Sequence, residues 1–421
     1  MSKYKLSIIV PTFNLENKIT HTFNSIKSQT LEFEDIEIIF VDDHSTDTTM
    51  KIIEGFSDDY PNVKVFKTDT NSGFAGKPRN VGLEKSTGKY VLFLDGDDQI
   101  LSDSCEVMLK NIESDASDIA IGSHINRYDN GVLEHTPAMA LGGKEVFENS
   151  NDVNLLDMTP AISAKLFKKG FLLKNNIRFA EGIPAQDLVF LEEALLNSKK
   201  VTVLNNQYIY YRNIHKKSVS YNITERYLFG MIKAYTALFD LFELFKIDYN
   251  IQKAIFKRHL GFFTTQILRA KNLNILTDEK LEKILNSQEF GALTGKSAFD
   301  KLQIIQYFEF MRCGKYRDAQ KIIRSINVNE INYLSLKEEK ENLLKKIDAI
   351  NEHNTTLTEQ NNTINNKLIE LQKDINSIES KTNDLTKENR YLQSENTNLK
   401  NELDEIKSKR LWELINRIKR N

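Results

Sequence analysis

Two apolar runs in this chain end directly on clustered carboxylates, and this pattern limits the fold more than any other feature. Residues 36–41 (IEIIFV) lead into Asp42-Asp43, and residues 90–94 (YVLFL) lead into Asp95, Asp97 and Asp98. Short β-branched and aromatic runs of this kind are strands buried in a sheet. Residues 6–10, closed by Pro11, and residues 63–66 read the same way. Helical segments fall between them. Residues 15–29 set Ile19, Phe23 and Ile26 on one face. A second helix reaches about Phe56 with Ser45 or Thr46 as its cap, and a third covers 77–83 with Pro78 tolerated in its first turn. The alternation predicts an α/β domain with a mostly parallel sheet and helices on both faces. Ligands of such sheets bind beyond the carboxyl ends of the strands, where both acidic clusters fall.

The pattern loosens over residues 117–211, with a helix expected at 187–197 and strands near Val201 and Tyr208. Beyond Thr224 the chain reads as helical to about residue 326, through apolar spacings of three and four at 229–245, 251–268 and 301–310. Then a heptad takes over. Position d is apolar ten times in one phase, from Leu343 through Ile350, Leu357, Ile364, Leu371, Ile378, Leu385, Leu392 and Leu399 to Ile406. This predicts a coiled coil on the order of 95 Å long. Asn354, Asn361, Asn389 and Asn396 at a positions favour two strands, whereas isoleucine at d favours three. The expected division is 1–223 for an α/β catalytic domain, 224–330 for a helical domain, 336–410 for the oligomerising coil and 411–421 for a basic tail. That tail places Leu411, Trp412, Ile415 and Ile418 among basic residues. It suits either an anionic lipid surface or a cap on the coil.

Bulk composition excludes several classes. A formal net charge of -2 gives no global attraction to nucleic acid. Cys105 and Cys313 lie far apart, which argues against a disulfide framework or a zinc site. The apolar run before Pro11 is too short for a signal peptide or a membrane span. The expectation is a cytoplasmic protein, with peripheral contact at the inner face of the cell membrane as a further option.

The chemistry of the acidic clusters is specific. Gly96 lets Asp95 and Asp97 turn tightly toward one hard cation, and Mg²⁺ or Mn²⁺ held this way also binds substrate phosphates. Asp42 and Asp43 can accept hydrogen bonds from a base or ribose. Asn14, Arg79 and Asn80 add polar groups in the same topological zone.

Four segments in order, SIIVPTFN at 7–14, FVDDHSTDTT at 40–49, NSGFAGKPRNVGL at 71–83 and VLFLDGDD at 91–98, resemble the inverting, GT-A-fold glycosyltransferases of family 2. The resemblance implies a Rossmann-like nucleotide-sugar domain. It places Pro11 and Thr12 beside the nucleobase, Asp42 (ahead of Asp43) on uracil, and Arg79 near the nucleotide. Asp95 would lie by the ribose and metal, and Asp97 on the metal, Mn²⁺ or Mg²⁺. The family's base is an Asp opening a helix. Asp187 in GIPAQDLVFLEEAL fits, with Gln186 replacing the usual acid before it; Glu181, Glu192 and Glu193 are rivals. YYRNIHKKS at 210–218 resembles the stretch that closes over the diphosphate, implying roles for Arg212, His215 and Ser218.

The GKPRN element is closest in style to enzymes that decorate teichoic acids and capsular polymers. The implied activity is transfer from a UDP-sugar to a hydroxyl of a glycan or polyol-phosphate polymer by a homodimer or homotrimer. Two alternatives stand beside it: a nucleotidyl- or sugar-phosphate transferase of similar fold, and a non-catalytic coiled-coil scaffold. Two glycine-rich segments are decoys. GALTGKS at 291–297 is one residue short of a phosphate loop, and GFAGK at 73–77 continues into Pro78 where a hydroxyl residue is needed.

Overall fold

The structure, a computed structural model, describes residues 3–139, 143–148, 152–156, 158, 160–214, 223–294, 305–325 and 333–418. The sheet half runs β1 (Leu6–Thr12), α1 (Ile19–Lys27), β2 (Ile36–Asp42), α2 (Thr49–Asp59), β3 (Val63–Lys67), α3 (Gly76–Lys85), β4 (Tyr90–Phe93), β5 (Gln99–Ile100) and α4 (Ser104–Ser114). It continues through β6 (Ile119–Tyr128), β7 (Leu133–Thr136), β8 (Lys144–Phe147), α5 (Val153–Leu156), β9 (Lys165–Lys168), α6 (Lys169–Lys174), α7 (Gln186–Asn197) and β10 (Val201–Ile214). Helices α8 (Glu225–Leu244), α9 (Tyr249–Asn272), α10 (Asp278–Leu285), α11 (Gln288–Thr294), α12 (Ile305–Arg312) and α13 (Tyr316–Ser325) follow, and α14 (Tyr333–Ile418) ends the described chain.

The sheet order is β3-β2-β1-β4-β9-β6-β10-β5, with β7 beside β6 and β8 beside β10. Strands β3, β2, β1 and β4 are parallel, as the alternation predicts. The second half corrects the expectation of a mostly parallel sheet. Strand β9 runs antiparallel to both β4 and β6, and β5, β7 and β8 are antiparallel to their neighbours, so the sheet is mixed. The reason is the connection. The chain leaves β6 at the edge that carries the acidic loops and returns as β9 from that same edge, so β9 must run back. Near Val201 and Tyr208 there is one strand rather than two, β10, with register shifts between Leu204 and Tyr210.

Alternate residues of the parallel strands enter two cores. Leu6, Ile8 and Val10, with Ile36, Ile38 and Phe40, face α1, α2 and α4; Ile9, Ile39, Val41, Val91 and Phe93 face the layer of α3 and α7. That second core continues without a break into α8 and α9 and on to Ile323 of α13. Accordingly Met1–Glu330 form one compact unit, and Ile331–Asn421 form a second. Thr224 caps α8 by accepting from the Tyr227 amide at 3.1 Å. The cap expected of Ser45 or Thr46 on α2 is not formed, because both residues bond elsewhere. Asp47 instead accepts from the Thr49 amide at 2.9 Å.

The second unit is one helix of 86 residues, about 130 Å long at the α-helical rise. Its d-position residues from Leu357 to Ile406 are all exposed, as are Leu368, Ile375 and Leu403 at a positions. No described helix is long and apolar enough to cross a membrane.

Candidate active site

The carboxyl ends of β1, β2 and β4 bring the expected residues to one edge. Loops 13–18 and 43–49 are laced together there. The Asn14 amide donates to Ser45 Oγ at 3.0 Å, Asn14 Oδ1 accepts from the Thr46 amide at 2.8 Å, and Glu16 accepts from the Thr48 amide at 3.1 Å. Asn14 adopts φ 52°, a left-handed conformation that asparagine tolerates better than most residues. Pro11 and Thr12 are buried at the end of β1, with the Thr12 hydroxyl 3.4 Å from Asp42.

Asp42 is fully buried and accepts from the Ser45 amide and hydroxyl. Asp43 accepts from Thr68 Oγ1 at 2.8 Å and from the Ser72 amide and hydroxyl at 2.9–3.1 Å. These carboxylates therefore brace the loops at this edge of the sheet. A carboxylate offers about four acceptor positions, and Thr12 and Ser45 take three of them at Asp42.

The Asp95–Asp98 loop is held from two sides. Thr22 Oγ1 donates to the carbonyls of Gly96 and Asp98 at 2.9 and 2.8 Å, and the Asn213 side chain donates to the Asp97 carbonyl at 2.6 Å. A side chain at Gly96 would meet the Pro11 carbonyl at 2.9 Å, so only glycine lets this loop pass beneath β1. Asp98 is buried. It accepts from Tyr210 Oη at 2.8 Å and the Asn213 amide at 2.7 Å, and burial, Asp95 and Asp97 together push its carboxyl well above the usual range. Asp98 is thus an anchor, while the side chains of Asp95 and Asp97 stay 39% and 33% exposed. Tyr210 and Asn213 carry that anchoring and were not anticipated from the sequence. Their position beside Arg212 in the YYRN stretch was the only signal.

Arg79 joins the two halves of the site. Buried on α3, it donates one amino group to Asp95 Oδ1 at 2.6 Å and the other to Asp187 Oδ1. Burial opposes its charge, but Asp187 and Asp95 more than offset this and hold the guanidinium more firmly protonated than usual. The loop before α7 is fixed by Asn80, whose side chain bonds Phe179 in both directions at 2.9 Å and Glu181 at 2.9 Å. At Gly76 an added Cβ would lie 2.3 Å from the Ala180 carbonyl, so α3 packs tightly against that loop. Beneath it the Phe179 and Phe190 rings stack at 3.9 Å, with Phe93 edge-on to both.

Asp187 consequently stands in the first turn of α7, partly exposed, where the helix dipole favours a carboxylate. The rivals sit differently. Glu181 is tied to Asn80, Glu192 is buried, and burial raises the carboxyl of Glu193. Gln186 is buried beside Asp187. Arg212 lies half-buried on β10 opposite Asn126, while His215 and Ser218 fall outside the described residues. Lys18, 3.2 Å from Asp97, is a further cation of the site that the sequence did not single out.

Asp95 and Asp97 offer hard oxygen donors on an accessible loop, a donor set that suits Mg²⁺ or Mn²⁺. Among the described residues no three metal-ligating side chains converge, so the remaining ligands would be phosphate oxygens of the substrate and water.

The chain matches the family model described as glycosyl transferase family 2 over residues 7–170. It is 33% identical over 286 residues to a poly(ribitol-phosphate) beta-glucosyltransferase of Bacillus spizizenii, covering 66% of this chain and 43% of that protein. To the poly(ribitol-phosphate) beta-N-acetylglucosaminyltransferase TarP of Staphylococcus aureus it is 32% identical over 277 residues, covering 63% and 80%. The crystal structure of S. aureus TarS 1-349 in complex with UDP superposes with a TM-score of 0.60 at 26% identity, over 77% of this chain and 92% of that one. The chain spans less than half the length of the Bacillus enzyme and 35% of full-length TarS. The fold is therefore a GT-A-like α/β core with a mixed sheet, and because kinship extends over most of TarP, the chain belongs to glycosyl transferase family 2.

Proposed function

We propose that this protein transfers a sugar from a UDP-sugar to a hydroxyl of a polyol-phosphate or glycan polymer, with inversion at the anomeric carbon. The observation that carries the reading is the Arg79 bridge, which fixes Asp187 and Asp95 at a single site. The activities of the poly(ribitol-phosphate) relatives, and the UDP bound to TarS, support the same donor and acceptor classes.

In this mechanism Pro11, Thr12 and Asp42 border the uracil, with Asp43 shaping the loop beside it. Asp95 and Asp97 would hold Mn²⁺ or Mg²⁺, which when bound offsets the charge of the departing diphosphate. Arg212, His215 and Ser218 are the residues that the family resemblance assigns to that diphosphate. Asp187 takes the proton of the acceptor hydroxyl as its oxygen bonds to the anomeric carbon, and the bond from that carbon to the phosphate oxygen breaks on the opposite face. Arg79 orients the base, and its charge beside Asp95 would favour the departing diphosphate. The test is product analysis with a panel of UDP-sugars, a polyol-phosphate polymer and a neutral glycan, in the presence of Mn²⁺ or Mg²⁺. Free UDP together with a glycosylated polymer is the expected result. A nucleotidyl or sugar-phosphate product, or no turnover with any pair, would sink the reading.

The division into 1–223, 224–330, 336–410 and 411–421 is proposed on the same footing, with 1–223 and 224–330 as parts of one compact unit that share a core. The exposed apolar series along α14 is covered by the same series of another copy, as a coiled-coil dimer or trimer. Light scattering should give two or three chains per particle, and removing residues from 336 onward should leave a monomer. A full-length monomer at micromolar concentration rules this out. The basic tail, with exposed Leu411, Trp412 and Ile415, is the element suited to an anionic membrane surface.

A further inference from the structure

Lys165 has surroundings that the mechanism above does not use. It begins β9, at the sheet edge that carries the acidic loops, because Leu166 pairs with Leu92 of β4. The residue is 5% exposed, yet among the described residues its ammonium meets only backbone carbonyls, those of Ala161 at 2.5 Å and Ser163 at 3.4 Å. No carboxylate lies within ion-pair distance among the described residues. An ammonium has three donors, so at least one has no partner among the described residues. Burying such a charge without an anion is costly. Burial draws its pKa down to about 8, with Asp187 acting weakly in the opposite direction.

The ammonium borders a cavity lined also by Gly122, His124, Ala138, Met158 and Ser163. Its interior is about the size of one water molecule, and so of one phosphate oxygen. His124 is buried on the same wall, and its ring makes no hydrogen bond to a described residue. Burial, and then Lys165 and Arg212, hold it neutral with a pKa near 4, so it can donate to or accept from a ligand without adding charge. The wall is fixed from behind by Arg258 of α9, which donates to the Met158 carbonyl at 2.8 Å. None of the lining residues belongs to the loops at 11–18, 42–49 or 95–98 that form the nucleotide edge. Lys165 and Asp187 are nonetheless close enough to interact electrostatically.

We propose that this cavity is an acceptor subsite: Lys165 binds one anionic oxygen of a phosphodiester in the acceptor chain, which sets the target hydroxyl against Asp187. The proposal rests on the polyol-phosphate reading above and adds the group that would recognise the phosphate.

The test uses the full-length protein and Lys165→Met, which keeps the side chain's length and removes its charge. Thermal unfolding confirms that the variant is folded, and Lys165→Arg supplies a second variant that keeps the charge. A lost charge-assisted hydrogen bond should raise the KM for a polyol-phosphate oligomer about tenfold to a hundredfold. KM for the UDP-sugar and the slow hydrolysis of UDP-sugar without acceptor should stay at wild-type values, and Lys165→Arg should recover part of the acceptor affinity. An unchanged acceptor KM in Lys165→Met overturns the proposal. A parallel rise in the UDP-sugar KM overturns it in favour of the donor diphosphate as the bound anion. If the wild-type protein glycosylates only the neutral glycan, the polyol-phosphate reading fails first and this subsite falls with it.

Discussion

Asp187→Asn should lower the transfer rate by about 10²- to 10⁴-fold, the range of a single positioned base, while UDP-sugar affinity stays close to wild type. The substitution preserves shape and one acceptor oxygen, so the helix start and the Arg79 contact can persist. What it removes is the ability to take a proton. Arg79 would then face one full carboxylate instead of two, and because it is buried, some stability should be lost as well. Thermal unfolding separates that loss from the kinetic one. Equilibrium binding of UDP-sugar to the folded variant should be unaffected. Transfer within a few-fold of wild type would remove Asp187 from the chemistry and return attention to Glu181.

Asp97→Asn should cost at least about a hundredfold in kcat/KM, because a metal's stabilisation of a departing phosphate is worth several kcal/mol. It should also shift activation by Mn²⁺ or Mg²⁺ to much higher ion concentrations. In the wild-type protein, chelation should abolish transfer, and either ion should restore it. Asp97 is suited to this role because its side chain is partly exposed and its present partner is Lys18, a flexible surface cation that can swing away. Asp98, one residue on, should not substitute for it. Its carboxyl is buried, bound by Tyr210 and Asn213, and pushed toward the neutral form. Wild-type activity and ion dependence in Asp97→Asn would show that the cation is held elsewhere or not used.

Asp187→Asn and Asp97→Asn probe residues that reach the site by different routes. Asp95 and Asp97 follow β4 directly, so local sequence was enough to place them at the sheet edge. Asp187 opens a helix nearly a hundred residues later, and three contacts across the chain put it there. These are the Arg79 bridge, 108 residues in span, the Asn80 clamp on residues 179–181, and the close packing of Gly76 against Ala180. None has a periodicity or spacing that a linear reading can detect. The same holds for Glu37, an acid within an apolar strand that would seem misplaced. It is fully buried, and Ser7, Lys64 and Thr87 satisfy it.

Sequence alone determined the elements whose signals are local. Continuous apolar runs specify strands buried on both faces, and Asp-Gly-Asp specifies the tight acidic turn after one of them. The heptad specifies an uninterrupted helix with one apolar seam. The direction of the later strands was a tertiary decision. Apolar alternation is identical in parallel and antiparallel sheets, and only the path of the chain after β6 makes β9 run back between β4 and β6. The functions of equivalent side chains were decided in the same way. Asp95, Asp97 and Asp98 are alike in sequence, but burial makes the third an anchor and leaves the first two open to a cation. Lys165 was one lysine among many until the fold buried its charge with no carboxylate of the described residues beside it. Burial and charge partners belong to the packed chain, so composition and spacing could not supply them.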